Sequence, residues 1–349
     1  MKRLYIGSMS PFSGKSLFTL GLGLLLKEMG YRVGYIKPIG NEPLQINSKV
    51  VDGDAQFFKD VLELEEPIEV ISPFVESLDV LNRTLSGKVR SVDRKVLKAI
   101  NSMKGYDILL IAGTRDIFEG SLYGINGIRI IRDVDARAVL VERWDNEDTI
   151  DDICAAKDIL EGRLHGVVFN HVRDEAMDFV KKRVIPYLKR KGIEVFGLIP
   201  FDRVLGSITV RALADVLGGR VLCAEEGLDR LVENFSVGAM DVNNALRYFR
   251  ATPNKAVITG AHRSDIQLAA LETSTRCIIL TGGLLPNDVI IGKARLKGIP
   301  IISVKEDTFT VVDKIEKVMG KFRIREEEKI KRAVDVVRSN VNIKKLTQI

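Results

Sequence analysis

The stretch Gly7-Ser8-Met9-Ser10-Pro11-Phe12-Ser13-Gly14-Lys15-Ser16 follows a short apolar run at residues 4–6 and precedes a longer apolar run typical of a helix. A loop that ends in Gly-Lys-Ser between a strand and a helix can hold phosphates, because backbone N–H groups of the loop and of the first helical turn converge on the anion. Lys15 adds a positive charge, and the Ser16 hydroxyl is a ligand that Mg²⁺ accepts. The sequence therefore predicts a nucleotide-binding loop.

The loop departs from the full phosphate-loop pattern at one position. That pattern has a glycine five positions before Gly14, where this chain has Met9, so the match is confined to the Gly-Lys-Ser end. The alternative is that Gly14-Lys15-Ser16 only begins a helix. The strand and helix patterns on either side of the loop favour phosphate binding.

The composition indicates an ordinary globular protein. The chain has 349 residues, of which 46% are hydrophobic and 29% charged, and this length has room for two domains. No uninterrupted apolar run approaches the ~20 residues of a membrane span, and the N-terminus lacks a signal-peptide pattern. We therefore expect a cytoplasmic protein with no membrane partner. Cys154, Cys223 and Cys277 are too widely separated for a disulfide framework or a metal cluster.

The positive charge is concentrated at the C-terminal end. The formal net charge is +6, and residues 321–349 contain nine Lys or Arg and four Asp or Glu, a local charge of +5. The rest of the chain is therefore close to neutral. Because the predicted helix at 325–340 includes Glu326-Glu327-Glu328 and no interleaved aromatic residues, we expect a solvated or packing helix and no nucleic-acid partner.

Up to about residue 222, short β-branched runs alternate with helical patterns, which predicts a doubly wound α/β domain with a mainly parallel sheet. The predicted strands are residues 4–6, 32–36, 107–111, 138–141, 166–169 and 194–198. The predicted helices are residues 16–29, 54–64, 92–103, 149–160 and 175–190. The phosphate loop follows the first strand, at the carboxyl edge where such sheets bind ligands.

A second, smaller α/β unit begins after Gly218-Gly219 and a short acidic stretch. Its predicted helices are residues 242–249, 265–271, 288–296 and 308–319, in alternation with strands at 255–258, 277–280 and 300–304. The predicted division of the chain is a phosphate-loop domain at 1–222, an α/β domain at 228–320, and a charged C-terminal helix and tail at 321–349.

Two residues near the second predicted strand bear on the chemistry of the site. Lys37 closes that strand and would project over the same edge as the phosphate loop, with a simple surface lysine as the alternative. Asp54 opens the next helix, where it either caps the helix or reaches Mg²⁺ beside Ser16. The residues alone leave both alternatives open.

The third strand ends at Ala112. Many phosphate-loop enzymes have a carboxylate at this strand end that helps to hold the metal. Its absence weakens the case for catalysis, and the candidate substitutes in the following loop are Asp116 and Glu119.

In the second unit, His262 and Arg263 lie at a predicted strand-to-helix turn. No His or Cys neighbours His262 at metal-ligand spacing, so we expect a loop role rather than catalysis. Two interpretations stand for Arg263-Ser264-Asp265: Ser264 caps the helix, or the turn binds an anion.

The order of short motifs carries a family resemblance. The motifs Gly14-Lys15-Ser16, Tyr35-Ile36-Lys37-Pro38, Gly53-Asp54-Ala55, Ile111-Ala112-Gly113-Thr114 and Gly166-Val167-Val168-Phe169-Asn170 occur in this order. The chain thereby resembles the dethiobiotin synthetase group of P-loop enzymes and, more closely, the synthetase-like N-terminal domain of long phosphate acetyltransferases. Residues 258–267 and 280–283 resemble the DRTGG domain that follows in those proteins. The two resemblances together cover about residues 1–320.

The resemblance implies a set of site residues. These are Lys15 and Lys37 for catalysis; Ser13, Gly14, Lys15, Ser16 and Asn170 for ATP; and Ser16 and Asp54 for Mg²⁺. Lys37 would face a substrate carboxylate or carbamate, and Asn170 would contact the edge of the base. Ala112 stands where the synthetases have a glutamate ligand to magnesium. A homodimer is also implied, because the synthetase group builds its substrate sites between subunits.

Three functional hypotheses follow from these residues and from the resemblance. The leading hypothesis is a cytoplasmic ATP- and Mg²⁺-binding protein with a regulatory or nucleotide-sensing role, because the expected acidic ligand is missing at Ala112. The alternative is an ATP-dependent ligase that activates a small carboxylate or carbamate by phosphorylation, and a pure interaction module comes third. The length leaves no room for an acetyl-transfer domain, so we do not expect a complete phosphate acetyltransferase.

Overall fold

A computed structural model describes residues 1–46, 49–88, 91–318 and 326–348. These residues form two compact units. The first comprises Met1–Phe201 together with the C-terminal helices, and the second begins at Asp202.

The first unit contains every strand and helix predicted for residues 1–201. Its strands are β1 (Lys2–Gly7), β2 (Val33–Ile36), β3 (Ile39–Gly40), β4 (Pro43–Ile46), β5 (Lys49–Asp52), β6 (Phe74–Val75), β7 (Ile108–Ala112), β8 (Arg137–Arg143), β9 (Leu164–Val172) and β10 (Val195–Pro200). Its helices are α1 (Lys15–Glu28), α2 (Gly53–Leu62), α3 (Ile68–Ile71), α4 (Leu78–Leu85), α5 (Asp93–Ser102), α6 (Gly127–Asp133), α7 (Asp148–Ile159), α8 (Asp174–Phe179) and α9 (Ile185–Arg190). A π-helical turn, Val180–Val184, joins α8 to α9.

The main sheet positions the phosphate loop. Among the described residues, six parallel strands form this sheet in the order β10-β9-β8-β1-β7-β2. The register places Ile6 beside Ala112 and Gly7 beside Leu140. The chain first winds from β1 to one side and later to the other, so the carboxyl end of β1 lies where the winding reverses. Ligands bind at that point in open α/β sheets.

Helices cover both faces of this sheet, which confirms the predicted doubly wound architecture. On one face Leu109, Leu140 and Phe169 pack in a single apolar core with residues of α5, α6 and α7. On the other face α1 packs on β1, β2 and β7, and its Phe18 is fully buried. Burial on both faces explains why these strands are continuously apolar instead of alternating.

The second unit is a smaller α/β domain. Its strands are β11 (Ile208–Thr209), β12 (Arg220–Cys223), β13 (Leu231–Val232), β14 (Asn234–Val237), β15 (Lys255–Gly260), β16 (Thr275–Thr281) and β17 (Ile301–Ser303). Its helices are α10 (Val210–Leu217), α11 (Val242–Ala251), α12 (Ser264–Leu271), α13 (Asp288–Lys297) and α14 (Thr308–Val318). In the described part of this unit the main sheet has the order β12-β17-β16-β15-β14, with β12 antiparallel to β17.

The boundary between the units differs from the predicted one. The sequence analysis ended the first domain at residue 222, whereas α10 and β12 belong to the second unit. The cause is a long-range pairing: Val221 lies opposite Ile302 in the antiparallel ladder. A short run such as Arg220–Cys223 has no local feature that reveals a strand partner so distant in sequence.

The C-terminal helices α15 (Glu327–Asn340) and α16 (Ile343–Leu346) belong to the first unit, although the sequence analysis treated 321–349 as a separate segment. The apolar side of α15 packs on α1, where an added Cβ at Gly21 would come within 2.7 Å of the Ala333 carbonyl oxygen. Arg338 also pairs with Glu28 of α1 at 2.5 Å. The charged face of α15 concealed this packing. Arg325, the first residue of the helix predicted at 325–340, lies outside the described residues, as do residues 321–324 of the predicted C-terminal segment.

The structure also bears on membrane-spanning helices and on the cysteines. No helix within the described ranges is both long and apolar enough to cross a membrane. The three cysteines are free, with Cys223 and Cys277 buried and Cys154 partly buried.

Candidate nucleotide-binding site

The phosphate loop forms a sharp turn into α1. Gly14, the residue before the helix, has φ of 95°, a left-handed conformation that favours glycine. Within the described part of the chain, no side chain caps the first turn of α1, and that turn contains no acidic residue. Backbone donors at an uncapped helix N-terminus are suited to an anion.

Lys15 is the centre of a small hydrogen-bond network under the loop. Its Nζ donates to Ser8 Oγ at 2.6 Å, to the Arg115 carbonyl oxygen at 2.9 Å and to Ser13 Oγ at 3.4 Å. Burial lowers the pKa of the Lys15 amine to about 8, against the opposing negative charge of Glu142. The positive charge of Lys37 adds to this lowering of the pKa, so the two predicted catalytic lysines lie within electrostatic reach of each other.

Asn170, at the carboxyl end of β9, reaches the phosphate loop directly. Its Nδ2 donates to the Ser13 carbonyl oxygen at 2.8 Å. A Cβ added to Gly14 would come within 1.9 Å of the same Nδ2 atom. Asn170 therefore braces the loop, a role that the sequence analysis missed. The contact with a nucleotide base that the resemblance implies stays a prediction.

Glu142 is a second residue that the sequence analysis missed. It lies near the end of β8, is 1% exposed and accepts a hydrogen bond from the Met9 N–H at 2.7 Å. Burial raises the pKa of this carboxyl to about 8, although the bond from Met9 opposes the shift. The predicted strand stopped at residue 141, and a glutamate directly after such an apolar run was the available signal.

Lys37 lies in a buried ion cluster. Its side chain is 6% exposed, and its Nζ lies 3.0 Å from Asp52 Oδ1, 3.2 Å from Asp54 Oδ2 and 3.3 Å from Asn41 Oδ1. Burial alone would lower the pKa of Lys37, but the charges of Asp54 and Asp52 outweigh it and raise that pKa. Lys37 is thus a buried group that stays charged at neutral pH, and the surface-lysine alternative is wrong.

Asp52, and not Asp54, is the residue that caps α2. Asp52 Oδ1 accepts the Ala55 N–H at 2.8 Å. Asp54 lies in the first turn, and its side chain is 19% exposed. The structure therefore brings Asp54 and Lys37 together. Sequence reasoning did not single out Asp52, although its place just before the helix is typical of a cap.

Both candidate substitutes in the loop after Ala112 already accept hydrogen bonds from neighbouring groups of that loop. Glu119 accepts bonds from the backbone N–H and the Nε of Arg115, each at 2.6 Å. Asp116 Oδ1 accepts the N–H groups of Phe118 and Glu119, at 2.8 and 2.9 Å. Among the described residues, no group of three or more His, Cys, Asp or Glu side chains is arranged to hold a metal.

A parallel sheet with helices on both faces and a Gly-Lys-Ser loop after its central strand defines a P-loop domain. The family comparison agrees: the chain belongs to the AAA domain family, whose model matches residues 2–209. A DRTGG domain model matches residues 212–318. The predicted order of a P-loop domain and a DRTGG domain is confirmed.

The relatives include the proteins named by the resemblance. The phosphate acetyltransferase of Pseudomonas putida is 23% identical over 364 residues, which cover 98% of this chain and 51% of that protein. The ATP-dependent dethiobiotin synthetase of Clostridium kluyveri is 29% identical over 119 residues, 33% of this chain and 49% of that protein. Cobyrinic acid a,c-diamide synthase of Mycobacterium smegmatis, solved with bound ADP and magnesium, aligns over 58% of this chain and 88% of its own, with 12% identity and a TM-score of 0.38. The chain spans about half the length of the phosphate acetyltransferase that it matches.

Proposed function

We propose that the first unit binds ATP together with Mg²⁺ at the phosphate loop, and that the protein has a regulatory or nucleotide-sensing role. The observation that carries the proposal is the uncapped first turn of α1, preceded by left-handed Gly14 and braced by Asn170. Backbone amides there would receive the phosphates, and Lys15 would add its charge once it leaves Ser8.

The residues present fit a magnesium nucleotide. The hydroxyl of Ser16 and the carboxylate of Asp54 are hard oxygen ligands of the kind that Mg²⁺ prefers, and phosphate oxygens and water complete its octahedron. Ser16 is exposed at the start of α1. The metal would neutralise phosphate charge, while Asn170 keeps the loop in its turn and Lys37 stays charged beside Asp54.

A sensing role is favoured over catalysis because one acidic metal ligand that phosphate-loop enzymes commonly have, at the strand end occupied here by Ala112, is missing. Ala112 supplies no carboxylate, and Asp116 and Glu119 are engaged by neighbouring groups. The specific observation that favours the alternative, an ATP-dependent ligase, is the placement of Lys37 near Lys15. Two cations at one sheet edge can stabilise a transferring phosphoryl group and an acceptor carboxylate.

The proposal includes a cytoplasmic homodimer, in line with the resemblance to the synthetase group. Analytical ultracentrifugation of the chain with and without ATP measures its oligomeric state. A monomer under both conditions would contradict a substrate site shared between subunits.

Isothermal titration with ATP, with and without Mg²⁺, tests the proposed function. We expect binding that Mg²⁺ strengthens and that Lys15→Ala weakens by at least about 10-fold, since a charge-assisted phosphate contact is lost. Lys98→Ala is the matched control, because Lys98 is an exposed lysine on α5. No binding at millimolar ATP, or equal binding by the Lys15 variant and the parent, would contradict the proposal.

A second measurement separates sensing from ligase activity. In the sensing case ADP release stays at background when small carboxylates or carbamates are added with an amine. In the ligase case such an addition stimulates ADP release, and Lys15→Ala abolishes it.

Ala112→Glu restores the missing carboxylate and is expected to tighten Mg²⁺ binding in the presence of ATP. Unchanged metal affinity would show that this strand end does not face the metal.

A further inference from the structure

The second unit contains a cleft of about 390 Å³ at the carboxyl ends of β14, β15 and β16. Gly238, His262 and Gly282 line it from the loops that follow these three strands. The volume lies within the range of small-molecule sites, roughly 300–1,000 Å³. The carboxyl edge of parallel strands is also where α/β folds bind ligands.

Both segments that carry the DRTGG resemblance meet in this cleft. His262 and Arg263 come from residues 258–267, and Thr281 and Gly282 come from residues 280–283. The parallel pairing of β15 with β16 brings them together, since Gly260 lies beside Thr281. The segments are therefore parts of one site.

One side of the cleft can accept a flat ring. Val237, Ile258 and Leu284 give it an apolar lining, and Leu284 is 61% exposed. The His262 ring lies over Gly260, where an added Cβ would come within 2.6 Å of its Cε1 atom. This imidazole has no hydrogen-bond partner among the residues described. An available aromatic ring beside apolar side chains is suited to stacking with a nucleobase.

Hydroxyl groups line another part of the cleft. Thr281 Oγ1 and Thr308 Oγ1 lie 3.0 Å apart and share one hydrogen bond. Thr259, also in the lining, donates to the Gly238 carbonyl oxygen at 3.2 Å. Each hydroxyl can still accept further bonds, so the three threonines offer partners for the hydroxyls of a ribose.

Arg263 gives the cleft one cationic donor, beside Asp265 and Asp307, two carboxylates that already accept hydrogen bonds within the chain. Arg263 donates from Nε and Nη2 to Asp265 at 3.1 and 3.0 Å and from Nη2 to the Met240 carbonyl oxygen at 2.8 Å, which leaves Nη1 without a hydrogen-bond partner in the described part of the chain. The next residue begins α12, so an anion there would also meet the positive end of a helix. Asp307, the acidic residue in the lining, accepts two bonds from Thr310 with its two oxygens.

We propose that this cleft binds a nucleoside monophosphate. The base stacks between His262 and the apolar side chains, the ribose meets the threonine hydroxyls, and the phosphate meets Arg263. The proposal goes beyond nucleotide binding at the phosphate loop and does not depend on it.

Titration of AMP, and separately of GMP, into the full chain with Lys15→Ala tests this site, because we expect that variant to weaken nucleotide binding at the phosphate loop. We expect one site per chain, weakened by at least about 10-fold in His262→Ala and in Thr281→Val. The valine keeps the shape of the threonine and removes only the hydroxyl. Arg250→Ala, a change at an exposed arginine of α11, is the control and should leave binding unchanged.

Hydrogen exchange in the same variant locates the ligand. Protection of residues 258–267 and 280–284 by the nucleotide supports the proposal. The proposal is overturned if neither nucleotide binds at millimolar concentration, if both binding variants retain full affinity, or if nucleotide binds the parent chain but not the Lys15→Ala chain. Ribose 5-phosphate binding as tightly as both nucleotides would also overturn it, since the base would then make no contact.

Discussion

The side-chain amide of Asn170 donates a 2.8 Å hydrogen bond to the carbonyl oxygen of Ser13, and this contact ties the phosphate loop to β9. Asn170→Ala removes it and leaves the loop less ordered before ATP binds. We expect ATP affinity to fall by about 2- to 10-fold, the range for one hydrogen bond of ~0.5–1.5 kcal/mol. Titration calorimetry of the variant measures the loss.

The same variant separates bracing from base recognition. If Asn170 only braces the loop, ATP and GTP lose affinity equally; if it contacts the base, their ratio changes. Asn243→Ala, a change at an exposed asparagine of α11, is the control. Unaltered affinity of the Asn170 variant for both nucleotides would exclude both roles.

Gly14→Ala is expected to abolish tight ATP binding. The new Cβ would overlap Asn170 Nδ2, at 1.9 Å, and the residue would keep a left-handed backbone at φ 95°. That backbone alone costs a non-glycine residue about 1–2 kcal/mol. Titration with ATP and thermal melting of the variant measure the two effects.

Gly30→Ala is a matched control for this change. Gly30 has a similar φ of 88°, with nothing within 4 Å of an added Cβ. It should lower the melting temperature without weakening ATP binding. Equal ATP binding by Gly14→Ala and the parent chain would show that the loop does not hold the phosphates in this conformation.

The buried ion cluster makes a prediction about stability. Lys37→Met leaves Asp52, which is fully buried, without its cation. Breaking a buried pair in this way typically costs about 3–5 kcal/mol. Denaturant unfolding measures the loss.

A compensating change tests the cause of that loss. Asp52→Asn removes the orphaned charge and keeps an oxygen that caps α2, and it gives up only the acceptor of the Glu42 N–H at 2.9 Å. The Lys37→Met/Asp52→Asn double variant should therefore recover most of the stability lost by Lys37→Met alone. An equally unstable double variant would mean that packing around Lys37, rather than charge, was lost.

Glu142 makes the stability of the chain depend on pH. The pKa of its carboxyl is about 8 in the fold, against 4.5 as its ordinary value. The folded state thus keeps a proton that the unfolded state releases above pH ~4.5. The contribution of Glu142 to stability should fall by about 1.4 kcal/mol per pH unit as the pH rises between these two values.

Glu142→Gln removes this titration and can still accept the bond from Met9. Its melting temperature relative to the parent should rise steadily from pH 5 to pH 7.5. Glu147→Gln, at an exposed glutamate before α7, is the control and should show no such trend. A constant difference between the Glu142 variant and the parent across this range would show that Glu142 is ionised in the fold.

The packing of α15 on α1 is sensitive to a single methyl group. Gly21→Ala places a Cβ within 2.7 Å of the Ala333 carbonyl oxygen. Overpacking of this kind typically costs about 1–3 kcal/mol. We expect a lower melting temperature and faster proteolytic removal of α15.

Gly292→Ala is expected to have the opposite effect on stability. It lies on the exposed side of α13, with nothing within 4 Å of an added Cβ. Alanine in place of a helical glycine there should stabilise the chain by about 0.5–1 kcal/mol. If both alanine variants raise the melting temperature, α15 does not pack closely on α1.

The strands of both main sheets show which elements the local sequence pattern predicts and which it does not. Continuous apolar runs such as Ile108–Ala112 predict buried parallel strands, and the structure contains all of those predicted. By contrast, β12 and the antiparallel pair of β4 and β5 were not predicted, because each of these segments is a strand through its pairing with another segment and not through its composition. The helix α6 was also missed; Asn126 caps it.

For the candidate site, sequence identified the residues on the loop itself and those at strand ends. It did not identify Glu142 or Asp52, whose roles depend on a backbone N–H or a lysine that lies elsewhere in the sequence. Nor did it foresee that Asn170 contacts Ser13, since these residues come from different strand ends.

By itself, the sequence determined the class of fold, the position of the phosphate loop and the order of two α/β units, because apolar periodicity and the Gly-Lys-Ser turn are local properties. Only the tertiary structure decided where the units divide, which helix receives α15, and which polar groups meet around Lys15 and Lys37. Those outcomes depend on burial and pairing between distant segments. The free energy of such contacts depends on geometry that no short stretch of chain contains.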